Sequence, residues 1–190
     1  SRVCNRVRVA VWKVIELANL HPRVNILRPG PGVGGHCIAV DPWFIVESAP
    51  EEARLIRVAR EVNDSQPRYV FERIKEMLRG IDNPKVVVLG IAYKGNVGDT
   101  RESPALKVVD LLKSEGYDVA IYDPYVEGYD SSEGIFEGAD CVVVLTDHIQ
   151  FRDLDPWEIV PLLRNKLVFD ARNVLNKMRW KRAGFKVGTL

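Results

Sequence analysis

The sequence predicts an α/β protein in which a parallel sheet is preceded by an all-helical region. Two observations carry that prediction: before Gly80 the apolar residues recur at helical spacing, and from Lys85 onward short apolar runs alternate with helical stretches. A third feature, the glycine-rich run Pro29-Gly30-Pro31-Gly32-Val33-Gly34-Gly35, lies within the helical part and points to a loop that lets the backbone approach a ligand closely.

Residues 3–20 set Val7, Val9, Val11, Val14, Ile15 and Leu20 among charges in a mostly helical rhythm, with no convincing cap. After the glycine loop, residues 51–79 read as a long amphipathic helix with Leu55, Val58, Val62, Tyr69, Ile74 and Leu78 inward, an interruption at Pro67 and a stop at Gly80. Asp82-Asn83-Pro84 makes a turn. Strands are then expected at 86–89, 119–122, 141–145, 167–169 and 186–188, with helices at 104–113 and 157–163. Right-handed crossovers make this a Rossmann-like sheet, with ligands beyond its carboxyl ends, at residues 90–100, 123–125, 146–148 and 170–172. The domain reading is therefore a helical region over 1–80 and a Rossmann-like sheet over 84–190.

Composition narrows the partners. The chain has 190 residues, a net charge of +1 and 46% hydrophobic content, enough for one medium domain and a smaller piece. Interspersed charges give no electrostatic case for nucleic acid or an anionic membrane, and no signal-peptide pattern or spanning run is present. Cys4, Cys37 and Cys141 form no metal or redox spacing, so no metal is expected, and their odd number fits a reducing cytoplasm.

The glycine run ends on His36-Cys37, with Asp41 four residues later. If a helix starts near the thiol, its unpaired N–H groups favour a thiolate, and Asp41 falls one turn on, on the same side. A buried inert cysteine beside a structural turn is the alternative. Gly30, Gly32 and Gly35 fit Gly-x-Gly-x-x-Gly, but no strand precedes them and no acidic ribose partner follows, so this is not a dinucleotide fingerprint. Lys94 and Arg101 bring positive charge beside a helix start at Ser103-Pro104, a place that suits a diphosphate, although both also read as solvated surface charges.

Three blocks, His21 to Asp41, Gly90 to Ala105 and Phe169-Asp170-Ala171-Arg172-Asn173-Val174, together resemble the NAD-dependent nucleotide-sugar 6-dehydrogenases of the UDP-glucose/GDP-mannose dehydrogenase family. The branch acting on UDP-N-acetyl-D-mannosamine is the most similar. The resemblance implies that the helical region over 1–80 is a dimerisation region and the sheet over 84–190 a UDP-binding domain. It also implies that Cys37 captures an aldehyde as a thiohemiacetal on the way to the uronate, and that Asp41 helps orient water. It implies a UDP-sugar substrate contacted by Leu27, Gly30, Gly32, Gly34, Tyr93, Lys94 and Arg172, with Arg101 directed at NAD. Arg23 is implied to reach a substrate bound by the neighbouring subunit of a homodimer. NAD itself is implied to sit mainly on an amino-terminal domain upstream of Ser1, so the chain is expected to be a carboxyl-terminal portion that does not turn over alone. A UDP-sugar-binding or dimerisation module without catalysis, and a UDP-glucose-type enzyme, are the alternatives. The roles of His36 and of His148, at a ligand-facing place in its loop, stay open.

Overall fold

The computed structural model describes residues 1–190 and contains the expected parallel sheet. Its strands are β1 (Lys85–Leu89), β2 (Asp118–Tyr122), β3 (Cys141–Val144), β4 (Leu167–Asp170) and β5 (Lys186–Thr189), in spatial order β2-β1-β3-β4-β5 with every pair parallel. β1 and β3 are valine-rich because both faces of the sheet are covered. Val86, Val88, Cys141, Val143 and Phe169 turn to one core and Val87, Leu89, Val142, Val144 and Val168 to the other.

Eight α-helices accompany the sheet: α1 (Arg2–Arg6), α2 (Val11–Ala18), α3 (Asp41–Ser48), α4 (Arg54–Asp64), α5 (Gln66–Met77), α6 (Pro104–Ser114), α7 (Pro156–Ile159) and α8 (Lys177–Arg182). α5 and α6 fill the first core with Val70, Phe71, Ile74, Val108 and Leu112, while Ile159, Trp180 and Phe185 fill the second. α6 starts where the sequence places it: the Ser103 hydroxyl accepts from the Ala105 N–H at 3.2 Å, and Pro104, which has no N–H to satisfy, opens the helix. α8 was not expected from the sequence; Asn176 caps it by accepting from Arg179 N–H at 3.1 Å.

The expected helix over 51–79 is two helices. The break falls at Ser65, and Pro67 stands in the first turn of α5, where its missing N–H costs no helical bond. Ile74 and Leu78 are buried as expected and Tyr69 is half-buried, but Leu55, Val58 and Val62 on α4 are 80%, 52% and 55% exposed. Their stripe has the helical period, yet no layer of this chain lies over it. The rhythm over residues 3–20 also splits, at Arg8, whose φ of 58° is left-handed and cannot continue a helix. No helix is long and apolar enough to cross a membrane.

Candidate active site

The order of the sheet reverses between β1 and β3, and the loops leaving their carboxyl ends part there, as ligand sites in open α/β sheets require. The glycine loop folds over this opening and is pinned from three sides. From the α4–α5 junction, Asn63 Oδ1 accepts from Val33 N–H at 2.8 Å, Asn63 Nδ2 donates to Val33 O at 3.1 Å, and Gln66 Nε2 donates to Gly30 O at 3.2 Å. From the β1–α6 loop, Arg101 O accepts from Gly35 N–H at 3.2 Å. From the loop after β4, Arg172 lies over Gly30, reaches Pro29 O at 3.5 Å and pairs with Asp147 at 2.9 Å.

These contacts explain two of the glycines. A Cβ on Gly34 would run into the Glu102 carbonyl and Pro104 Cδ at 2.7 Å, neither of which is a flexible chain end. Gly35 has φ +89° and lies against the Tyr93 ring. A hollow of about 10 Å³, room for about one water, remains between the loop and the sheet, lined by Gly32, Ala92, Tyr93, Thr146, Asp147 and Arg172 among others. It is smaller than the several hundred Å³ that most small-molecule sites occupy, so a nucleotide sugar needs further walls. Larger hollows, of about 260 and 270 Å³, lie beside Lys75 and Tyr117 and beside Met77 and Gly188, and one of about 450 Å³ lies between α2, Arg28 and Asn173.

Cys37 is exposed, with Sγ 3.2 Å from His36 Nδ1. It precedes α3 by a turn: the Cys37 carbonyl accepts from Val40 N–H at 3.0 Å and from Asp41 N–H at 2.8 Å, and α3 begins only at Asp41. The thiol therefore does not occupy the helix start expected for it, and the helix-dipole argument loses its geometry. The glycine loop, rather than α3, gives the thiol its place. Asp41 is exposed one turn on. Arg101 is held by Asp99, Nε to Oδ1 at 3.0 Å and Nη2 to Oδ2 at 2.5 Å, and this partner, with the Arg101 backbone N–H, lowers the Asp99 carboxyl to about 2. Hydrogen bonding to Asp99 first, with smaller Coulomb contributions from Tyr93 and Cys37, raises the Arg101 guanidinium.

Gly30, Gly32, Gly34, Tyr93, Arg101 and Arg172 are thus gathered around the loop that carries Cys37. Lys94 is exposed on the β1–α6 loop, and no carboxylate pairs with it. Arg23 and Leu27 lie exposed on the segment leading into the loop.

His148 does not face a ligand. It is fully buried, its Nδ1 accepting from Asn96 N–H at 2.8 Å and its Nε2 at 3.0 Å from Asp123 Oδ2, a pattern that assigns the proton to Nε2. Asp123, also fully buried, accepts from the N–H groups of Ile91 at 2.8 Å, Ala92 at 3.0 Å and Tyr125 at 3.0 Å. The pair ties together the loops leaving β1, β2 and β3. Asn63 carries no signal in the sequence, and Asp123 and Asp147 fall within the strand-end segments 123–125 and 146–148 without a role of their own.

Exposure also ranks the thiols. Burial pushes the Cys141 thiol up to about 12, Cys4 is half-buried and Cys37 is open. Alkylation of folded protein followed by mass spectrometry should therefore modify Cys37 first, Cys4 more slowly and Cys141 only after unfolding. Labelling of Cys141 at the rate of Cys37 would contradict this order.

Comparison with known proteins gives a concordant result. Residues 87–177 match the UDP binding domain of the UDP-glucose/GDP-mannose dehydrogenase family, and residues 1–65 match its central domain. The chain is 48% identical over its whole length to a UDP-N-acetyl-D-mannosamine dehydrogenase of Methanocaldococcus jannaschii, covering 46% of that protein. It is 45% identical over 94% of its length to an NDP-N-acetyl-D-galactosaminuronic acid dehydrogenase of Ralstonia nicotianae, covering 44% of it. The solved structure of a UDP-D-ManNAc dehydrogenase from Pyrococcus horikoshii superimposes with a TM-score of 0.90 at 38% identity, over 98% of this chain and 45% of that one. The chain spans about half the length of the curated relatives it matches.

Proposed function

Because the chain belongs to the UDP-glucose/GDP-mannose dehydrogenase family, we propose that it supplies the reactive thiol and the nucleotide-binding walls of a UDP-N-acetyl-D-mannosamine 6-dehydrogenase. The observation that carries this reading is the exposed Cys37 at the end of a glycine loop bonded across to the β1–α6 loop of the UDP-binding sheet. In this reading Cys37 Sγ attacks the C6 aldehyde of the sugar. The C–S bond forms as the carbonyl π pair moves to oxygen, that oxygen takes up a proton, and the thiol proton leaves, which gives a thiohemiacetal held against escape. In this reading Arg172 and Tyr93, which line the hollow under the glycine loop, contact the sugar. Lys94, exposed and unpaired on the β1–α6 loop, offers its ammonium to the diphosphate.

NAD supplies hydride acceptance in such a reaction. This chain's residues do not make its pocket: the first strand-to-helix turn of the sheet reads Gly90-Ile91-Ala92-Tyr93-Lys94-Gly95, without the dinucleotide fingerprint, and only Arg101 is left as a contact. We therefore expect the 190 residues alone to bind UDP and not to turn over, in the cytoplasm. The stripe of Leu55, Val58 and Val62 on α4 suits a two-fold partner, with Arg23 exposed for the neighbouring site.

Calorimetric titration of the folded chain with UDP, UDP-N-acetyl-D-mannosamine and UDP-glucose tests the proposal, with light scattering on the same samples. Saturable UDP binding by a dimer is expected, and weaker binding of UDP-glucose than of the N-acetyl sugar. A folded chain that binds none of the three would overturn the reading. Steady NAD reduction without added protein would overturn the division of labour.

A further inference from the structure

We propose that Asn63, at the carboxyl end of α4, is the positioning residue that sets the register of the glycine loop and so the place of Cys37. The proposal rests on Cys37 being the nucleophile. The observation behind it is a reciprocal pair. One carboxamide satisfies both polar groups of Val33, accepting from its N–H at 2.8 Å and donating to its carbonyl at 3.1 Å, as the backbone of a neighbouring strand would. Among small side chains only asparagine presents a donor and an acceptor on one planar group at this reach.

The amide is itself oriented. Asn63 Nδ2 lies 3.2 Å from Asp64 Oδ1, and that carboxylate is held by Arg60 Nη2 at 2.6 Å, with Arg60 only 8% exposed. Val33 lies four residues before Cys37, and Gly34 and Gly35 come directly after it. Two consecutive glycines would transmit little order without an anchor on each side. Asn63 on Val33 is the anchor on one side, and the Gly35 bond to Arg101 is the anchor on the other. The turn that carries the thiol follows directly on the second anchor, so its starting point is set by both. Gln66 at Gly30 holds the loop three residues upstream of Val33, too far to fix the glycine pair itself.

The test reads loop order rather than turnover, so its outcome is separable from failure of the dehydrogenase reading, which the UDP titration decides. A nitroxide on Cys37, in a Cys4→Ser background with Cys141 buried, reports mobility by electron paramagnetic resonance. Asn63→Ala removes both bonds and Asn63→Asp removes the donor; each should raise the mobile fraction of the label by roughly fivefold, the scale set by losing one or two partly exposed hydrogen bonds. Ile74→Val is the control, since it loosens the sheet core without touching the loop, and it should leave the label as in the parent at a matched loss of melting temperature. Either Asn63 variant that folds is sufficient. An unchanged label in a folded Asn63 variant, or an equal rise in Ile74→Val, overturns the proposal.

Discussion

In a dehydrogenase containing this chain, Cys37→Ala should lower uronate formation by on the order of 10⁴-fold or more, the scale on which loss of a covalent nucleophile is felt. UDP affinity should stay within about threefold of the parent, since no bonding group that a nucleotide would use is removed. The side chain of Cys37 touches His36 and holds nothing else in place: the loop is pinned through the backbones of Gly30, Val33 and Gly35. Truncating the thiol therefore deletes chemistry and leaves architecture. Chromatography of the sugar product and calorimetry with UDP separate the two effects. Uronate formed at the parental rate would remove Cys37 from the mechanism, and a large loss of UDP binding would mean that the thiol shapes the pocket.

The second large effect is expected at Asp123, a residue with no proposed contact to substrate. Asp123→Ala strands the N–H groups of Ile91, Ala92 and Tyr125 and removes the partner of the buried His148, and should cost about 3–5 kcal/mol, since each buried orphan donor costs about 1–3 and some entering water offsets the sum. Urea denaturation gives the number. A loss below about 1 kcal/mol would mean that the loops are held by other contacts.

Asp123 also predicts an acid dependence. Burial opposes its ionisation, but hydrogen bonds from His148, Ile91, Tyr125 and Ala92 outweigh burial and hold the carboxyl below its usual range. A carboxyl lowered by folding contributes stability at pH values above its unfolded value of about 4, and that contribution is lost as the pH falls through the lower folded value. Asp123→Asn should therefore flatten the decline in stability below about pH 4. Asp140, lowered in spite of its burial by bonds from Arg164, Asn165 and Lys85 N–H, gives an acid limb of the same sign and should persist in that variant. Asp170, raised by burial, acts in the opposite sense, so the whole-protein curve sums both signs.

Much of this was legible in the sequence, for reasons of period and composition. A run such as Val86 to Leu89 suits only a strand covered on both faces, and Ser103-Pro104 suits only a helix start, so five strands and α6 fell within a few residues of their places. The glycine loop and the strand ends marked where a site would form. What periodicity did not carry is the identity of the neighbour. Leu55, Val58 and Val62 share the rhythm of Ile74 and Leu78, but the break at Ser65 sends one set to the sheet and leaves the other in the open. Pairings between distant residues, such as His148 with Asp123 and Asn63 with Val33, leave no local pattern at all. The strand-end loop puts His148 at a ligand-facing place and leaves its role open; its burial follows from a carboxylate 25 residues away.

Residues 1–64 contribute only Val11, Val46 and Ala53 to the buried hydrophobic set, whereas the sheet and the helices on it contribute nearly all the rest. The molecule thus has two thermodynamic tiers. Amide protons in β1, β3 and β4 should be released only by global unfolding and those of α1 to α4 through local openings of lower free energy, an ordering that hydrogen exchange would read. The thiol-bearing loop is fastened to both tiers at once, by Asn63 on the weaker and by Arg101 and Arg172 on the stronger. Fluctuations of the helical tier should therefore reach Cys37 through Asn63, and a surface that covers α4 should slow them.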